Sequence, residues 1–326
     1  MPEFLLMAWL GKPIWMWAMF VAVVTLLLVL DLGVLHRNNR EIGARESLLM
    51  SAGYIALGLG FGGWVWSEIG AQAGLEYVTA FLVEKSLALD NVFVIATIFA
   101  AFAIPAAYQH RVLFWGILGV IVLRGIMIGF GAALVSAFSW VLWIFAALLI
   151  VMGAKMFVDK SEPTDPKDNA AYRWLSRRLP VTDGLRGSRF FVREPRADGR
   201  MGVWVTPLFM ALLMVELADL VFAVDSVPAV FAITTDPYIV YTSNIFAILG
   251  LRALYFALAA IVARFAYLKK ALALLLVFIG AKVFIAEALG LEKFPAAISL
   301  TITGLLLGGG VLFSMWKTRQ AAPAGA

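Results

Sequence analysis

Long apolar runs separated by short polar stretches dominate this chain. A helix of about 20 apolar residues spans the hydrocarbon core of a bilayer, and nine runs reach that length. We therefore predict nine transmembrane helices, approximately at 14–35, 47–66, 75–102, 112–134, 139–158, 205–233, 239–262, 270–288 and 295–315.

The composition agrees with a membrane protein. Of the 326 residues, 63% are hydrophobic and 14% are charged, whereas roughly 25% are charged in an ordinary soluble domain. The net charge of +5 does not indicate nucleic acid binding, because the basic residues lie at the ends of apolar runs and form no single patch. The sequence thus predicts an all-α polytopic protein that lies in a lipid bilayer and does not bind nucleic acid.

The basic residues also predict an orientation, because the cytoplasmic ends of membrane spans are enriched in lysine and arginine. We place the N-terminus outside and the C-terminus in the cytoplasm. Lys12 and Lys293 are then the exceptions to the rule. The predicted inner ends collect Arg37, Arg40, Arg45, Arg111, Arg264, Lys269, Lys270, Lys317 and Arg319, together with a long basic loop.

That loop, 159–204, separates two similar halves of the chain. It contains ten lysines or arginines, seven acidic residues and several prolines, which favours a solvated linker. A short amphipathic helix on the membrane surface is the alternative for its AAYRWLSRRL stretch, 170–179.

Three ordered matches indicate an internal repeat of three helices. The acidic motifs at Glu84 and Asp219 correspond, and so do LRG at 123–125 with LRA at 251–253, and GAK at 153–155 with GAK at 280–282. Because three spans are an odd number, the second copy enters the membrane in the opposite sense, as in many secondary transporters. The predicted domains are 1–70 with two spans, 75–158 as the first repeat, 159–204 as the cytoplasmic loop, 205–288 as the second repeat, and 295–326 as the last span and tail.

Acidic residues lie inside apolar runs at corresponding places in the two repeats. In EKSLALDNVFV (84–94) and DLVFAVDSVPA (219–229), an acidic residue is followed six positions later by an aspartate. Carboxylates at membrane depth cost about 2.5 to 3.5 kcal/mol on insertion scales, so they usually mark an ion or proton path. The predicted metal site consists of Glu84, Asp90, Glu216, Asp219 and Asp225.

Oxygen is the only ligand type that this site offers in quantity, because the chain has no cysteine and only two histidines. Asn91, Ser226 and Asn244 would add neutral oxygens, and hard divalent cations such as Mn²⁺, Mg²⁺ and Ca²⁺ prefer such ligands. Residues six apart on a helix point about 120° away from each other. We therefore expect local unwinding, which Pro228 would favour because it cannot donate to the carbonyl of Val224. Spare carboxylates would carry protons in exchange.

Embedded cations give a second interpretation of the same residues. Arg124 and Arg252 lie near mid-membrane at matching places, and Lys85 adjoins Glu84. In this view, the basic side chains neutralise the carboxylates in buried ion pairs that hold the helices together. Five acids against two arginines still leave the excess of negative charge that a cation site requires.

These residues carry a family resemblance. EKSLALDNVFV (84–94), ELADLVFAVDSVPAV (216–230), DLGVLHR (31–37) and the layout of nine runs with a basic central loop resemble the TerC family of bacterial integral membrane proteins, named for tellurite resistance. The resemblance runs over about 25–315. It implies the inverted plan of the lysine-exporter superfamily, a role in Mn²⁺ export in the bacterial inner membrane, and functional acids at the five positions given above and at Asp31.

Three functions from different classes follow. The leading hypothesis is an exporter of a divalent cation, with Mn²⁺ ahead of Ca²⁺ and Mg²⁺, in which the metal is the transported substrate and no cofactor is bound. The second is an intramembrane aspartyl protease that uses Asp90 and Asp225, although no G-x-G-D sequence occurs. The third is a membrane scaffold that recruits protein partners through the 159–204 loop. We expect a transporter and not an enzyme, with tellurite resistance as an indirect effect because carboxylates repel an oxyanion.

Overall fold

The computed structural model of the chain describes residues 6–33, 44–158, 167, 170–195, 200–258, 268–291 and 294–321. Eleven α-helices lie in these ranges, with two short antiparallel hairpins. The hairpins pair β1 (Ala8–Trp9) with β2 (Lys12–Pro13), and β3 (Phe191–Pro195) with β4 (Met201–Val205). The helices are α1 (Ile14–Gly33), α2 (Ala44–Ile69), α3 (Ala71–Ala101), α4 (Ala106–Ala137), α5 (Val141–Val158), α6 (Ala170–Arg178), α7 (Pro207–Phe231), α8 (Pro237–Ile248), α9 (Leu251–Leu258), α10 (Leu268–Ala288) and α11 (Ala296–Ala321).

Seven spans in the described ranges are long and apolar enough to cross a membrane. They are α2, α4, α5, α7, α10, α11 and a composite of α8 and α9. The other two predicted positions hold α1, whose apolar part is shorter, and α3, whose 31 residues include Glu76, Glu84 and Lys85. The all-α polytopic class is therefore confirmed, and the count of nine spans stays a prediction.

The largest apolar cluster lies where α3, α4 and α7 meet the end of α8 and the start of α9. Val92, Val120 and Ala211 are almost fully buried within it, and Leu251 closes it from α9. These helices are therefore held together directly around the acidic motifs of α3 and α7.

Two glycines allow α5 and α10 to touch through their backbones. A Cβ on Gly153 would lie 2.7 Å from the carbonyl oxygen of Ala273, and a Cβ on Gly280 would collide with the carbonyl oxygen of Ala146. Gly153 and Gly280 are 127 residues apart, and so are Ala146 and Ala273. The contact is thus the same from both sides, which supports the predicted inverted repeat at this pair of helices.

The predicted span at 239–262 is interrupted. Helix α8 ends at Ile248 and α9 begins at Leu251, with Gly250 between them at a φ of +81°. A glycine adopts this left-handed conformation without steric cost. Because the composite span is almost wholly buried in the bundle, the main-chain groups freed by the break are not exposed to lipid.

Replacement of Gly250 by alanine is expected to destabilise the protein by about 2 kcal/mol or more. The left-handed backbone at this position is sterically unfavourable for alanine. The Cβ of the alanine would also lie 2.6 Å from Cγ of Tyr54 on α2. Thermal unfolding of the purified protein in detergent measures the loss. The matched control is Gly53→Ala, because a Cβ at Gly53 meets no atom within 4 Å. Equal melting temperatures for the two variants would contradict the prediction.

The central loop is more ordered than the favoured linker interpretation predicted. Residues 170–178 form α6, as the alternative proposed, and the ring of Tyr172 lies 5.4 Å from that of Phe102 at the end of α3. The β3–β4 hairpin leads directly into α7, where Thr206 donates to the carbonyl of Arg189 at 2.7 Å. Packing against the ends of the spans therefore folds a segment whose composition alone indicated a solvated chain.

Candidate cation site

One arginine joins the two acidic motifs in the interior of the bundle. Arg124 of α4 donates from Nε and Nη2 to the two carboxylate oxygens of Asp219 on α7, at 3.1 and 3.0 Å. Its Nη1 donates to Glu84 on α3. The exposed fractions of Glu84, Arg124 and Asp219 are 0%, 1% and 5%, so this triad is shielded from solvent.

Three neutral polar side chains complete the network around Arg124. Its Nη1 also donates to Ser226 Oγ at 3.1 Å and to Asn244 Oδ1 at 3.0 Å. The Nδ2 atom of Asn244 donates to Glu84 at 3.3 Å, and the Nδ2 atom of Asn91 donates to Asp219 at 3.3 Å. All three neutral residues predicted to support the site are therefore in contact with it, and each is buried.

The triad does not balance its own charge. Two carboxylates face one guanidinium, which leaves one negative charge when all three groups are ionised. An uncompensated charge in a low-dielectric interior is costly. A bound cation would supply the missing positive charge, so the arrangement is suited to attract one.

A cavity of about 20 Å³ adjoins the triad. Asp219 and Asn91 supply its polar lining, and the rest is apolar, with Ile95, Val120 and Phe222 among the side chains. A cavity needs about 10 to 15 Å³ to hold one water molecule. The space therefore suits one small dehydrated ion or one water beside the carboxylate of Asp219.

The structure does not bring all the predicted acids into this network. Glu216 is half-buried against Gly119 of α4, and its Oε2 atom is buried without a hydrogen bond to any described residue. Asp225 is also half-buried. The side chains of Asp90 and Asp31 lie outside the described residues. Among the described side chains, no three acidic or histidine residues are close enough to hold a metal ion. The five-acid ligand set stays a prediction.

The expected unwinding near Pro228 is wrong. Helix α7 continues through this proline to Phe231, and Ala232 donates to the carbonyl of Pro228 at 2.9 Å. Because α7 stays helical, Asp219 and Asp225 point in different directions, which separates them as the helical geometry requires. Helical structure is interrupted instead at Gly250, between α8 and α9.

Lys85 of α3 contacts the carbonyls that precede that break, and Arg252 follows the break in sequence. Lys85 Nζ donates to the carbonyl oxygens of Ala247 at 3.0 Å and Leu249 at 3.4 Å, so its hydrogen bonds go to the end of α8, although Glu84 is its neighbour in sequence. Arg252, the second residue of α9, is buried, with 2% of its surface exposed. The sequence interpretation missed these carbonyls, and the mid-span glycine was the one available signal.

A larger cavity of about 560 Å³ lies elsewhere, between α5, the end of α7, and α10. In the part of the chain that the structure describes, its charged lining residues are Lys282 and Glu287, and Lys282 Nζ donates to Ser299 Oγ at 3.0 Å. This lining offers one positive and one negative charge. The smaller cavity is the better candidate for a cation because it adjoins a network with excess negative charge.

Comparisons with known proteins bear on the family of the chain. The family described as "Integral membrane protein TerC family" matches residues 69–322. An uncharacterized membrane protein of Myxococcus xanthus is 46% identical over 306 residues, which cover 94% of this chain and 93% of that protein. A protein of Escherichia coli O6:H1 named as the membrane-bound redox modulator Alx is 42% identical over 315 residues, which cover 94% of this chain and 95% of the relative.

The Alx protein of Photorhabdus laumondii is 40% identical over 321 residues, which cover 96% of this chain and 98% of the relative. No solved structure matches the chain. The family match spans both acidic motifs, and the relatives are matched over almost their whole length. The chain therefore belongs to the TerC family of integral membrane proteins.

Proposed function

We propose that this protein exports a hard divalent cation, with Mn²⁺ as the first candidate, across the bacterial inner membrane. The observation that carries the proposal is the buried contact of Glu84 and Asp219, from two different helices, around a single arginine beside a small cavity. In this proposal, α6 and the β3–β4 hairpin lie on the cytoplasmic side.

The chemistry of the network supports a hard cation. Its acceptor atoms are carboxylate, amide and hydroxyl oxygens, which Mn²⁺, Mg²⁺ and Ca²⁺ accept and softer metals do not prefer. The volume of about 20 Å³ favours a bare ion over a polyatomic oxyanion. An anion would also meet the carboxylate of Asp219, which would repel it.

Arg124 then has a defined part in transport. Its guanidinium holds Asp219 and Glu84 while no metal is present, which limits the cost of burying two carboxylates. An entering divalent cation competes with the guanidinium for the same oxygens. Metal binding and release of the arginine are therefore coupled, which links occupancy of the site to the relative positions of α3, α4 and α7.

The Alx relatives are named as redox modulators. This chain has no cysteine, so a role in redox balance would have to proceed without its own thiols. Export of a metal ion would affect redox balance indirectly, because it changes the metal content of the cell.

The test measures cellular metal in cells that lack or overproduce the protein. We expect overproduction to lower the cellular manganese content, and Glu84→Gln and Asp219→Asn to weaken this effect strongly, because each removes a carboxylate charge from the network beside the cavity. Mass spectrometry of washed cells gives the metal content, and immunoblotting of membranes confirms that the variants are present. Asp183→Asn, an exposed loop change, is the control. Unchanged manganese export by both ligand variants would refute the proposed site.

A further inference from the structure

The break between α8 and α9 exposes main-chain carbonyls inside the bundle. The last carbonyls of a helix have no partners within that helix, and its C-terminus carries a partial negative charge. Here the carbonyls of Ala247 and Leu249 accept hydrogen bonds from outside, and the donor to both is the ammonium group of Lys85. A positive charge therefore sits at the negative end of α8.

Lys85 reaches this place from another helix and is almost fully buried. It belongs to α3, and 8% of its surface is exposed. Burying an ammonium group is expensive unless it is paired or hydrogen-bonded. Helix-end carbonyls of this kind are also the groups that coordinate Na⁺ in transporters with broken helices. The ammonium group thus lies where a free monovalent ion binds in other proteins.

Lys85 belongs to the first repeat and contacts the break in the second repeat. At the two equivalent positions, the chain has neither a lysine nor a break. The two repeats are offset by 135 residues at the acidic motifs, and by 128 residues at LRG and LRA. With these offsets, Lys85 corresponds to Leu220 and Gly250 corresponds to Val122. Helix α4 runs unbroken through Val122, and both Val122 and Leu220 are exposed on the surface of the bundle. Where the chain keeps a continuous helix, it has no lysine to supply.

We propose that the carbonyl oxygens of Ala247 and Leu249 form a monovalent cation site that this protein fills with its own Lys85. The tethered ammonium group replaces a free ion, so the wild-type protein needs no Na⁺ to stabilise the broken helix. Removal of the lysine side chain opens the site to Na⁺. This inference concerns a different set of oxygens from the divalent site and does not depend on metal export.

The experiment compares the thermal stability of the full-length protein in sodium chloride and in choline chloride, because choline is too large for the site. We expect Na⁺ to raise the melting temperature of Lys85→Ala by about 3 °C or more. The wild-type protein should melt at the same temperature in both salts. Lys85→Met is the matched control, because its apolar chain fills the space without a charge, and it should be destabilised and insensitive to Na⁺.

Three results would overturn the inference. The first is a Lys85→Ala protein that melts at the same temperature in both salts, and the second is a Lys85→Ala protein that cannot be recovered from cells in either salt. The third is a wild-type protein that loses stability when choline replaces Na⁺, because the lysine would then not fill the site. Recovery of Lys85→Ala only in sodium chloride supports the inference. The experiment measures melting temperatures and does not measure Mn²⁺ transport. Failure of the lysine inference can therefore be distinguished from failure of the proposed exporter.

Discussion

Replacement of Arg124 by methionine is expected to cost about 3 to 5 kcal/mol of stability, the largest effect of any single change at the site. The substitution keeps an unbranched apolar stem and removes the guanidinium that joins Asp219 to Glu84. Both carboxylates would then be buried without a counter-charge. The change in stability is measured by unfolding the protein in detergent and monitoring the loss of its helical signal.

A charge-neutral variant separates this electrostatic cause from simple loss of packing. When Arg124→Met is combined with Glu84→Gln and Asp219→Asn, no unpaired charge remains, and we expect the variant to recover about half or more of the lost stability. Replacement of a whole buried ion cluster is often tolerated, whereas removal of one member is not. A triple variant less stable than Arg124→Met alone would show that the guanidinium acts mainly through its shape.

Replacement of Asp219 by asparagine is expected to reduce Mn²⁺ export by about tenfold or more, even where the protein still folds. Asp219 is the acid that both binds Arg124 and lines the small cavity. Asparagine keeps the size of the side chain and removes the charge that a divalent cation requires. Uptake of Mn²⁺ into inside-out vesicles, which corresponds to export from the cell, measures the effect.

The control for Asp219→Asn is a carboxylate with the same chemistry and a different place in the fold. Glu68 lies at the end of α2 and is exposed, so Glu68→Gln should transport at the wild-type rate. Vesicles must contain equal amounts of each protein. Wild-type transport by Asp219→Asn would show that the cation passes elsewhere in the bundle.

The apolar runs predicted most of the fold because membrane burial imposes a length and composition that a sequence displays openly. They did not reveal the break at Gly250, since residues on both sides of it are apolar and a single glycine is common in membrane helices. Position 250 is set by tertiary contact, with Tyr54 of α2 against the turn. The order of α6 and the hairpin likewise depends on packing partners that are distant in sequence.

The site was predicted in part for a similar reason. The repeat indicated that the motifs of Glu84 and Asp219 face each other, and the structure brings these two acids to one guanidinium. The embedded charges had two interpretations, a cation site and buried ion pairs, and Arg124 belonged to the second. Sequence alone does not show that the nitrogens of its guanidinium reach both motifs. The separation of Asp225 from the network follows from the continuous helix α7, which the proline had suggested would unwind.

The contact of α5 with α10 has a consequence for motion. At Gly153 and Gly280 the two helices approach so closely that Val277 and Ile150 of the facing helix pack directly against the glycines, so the pair resists sliding. Any cycle that opens the site to alternate sides of the membrane would then use this pair as a fixed pivot, while α3, α4 and α7 rock about it.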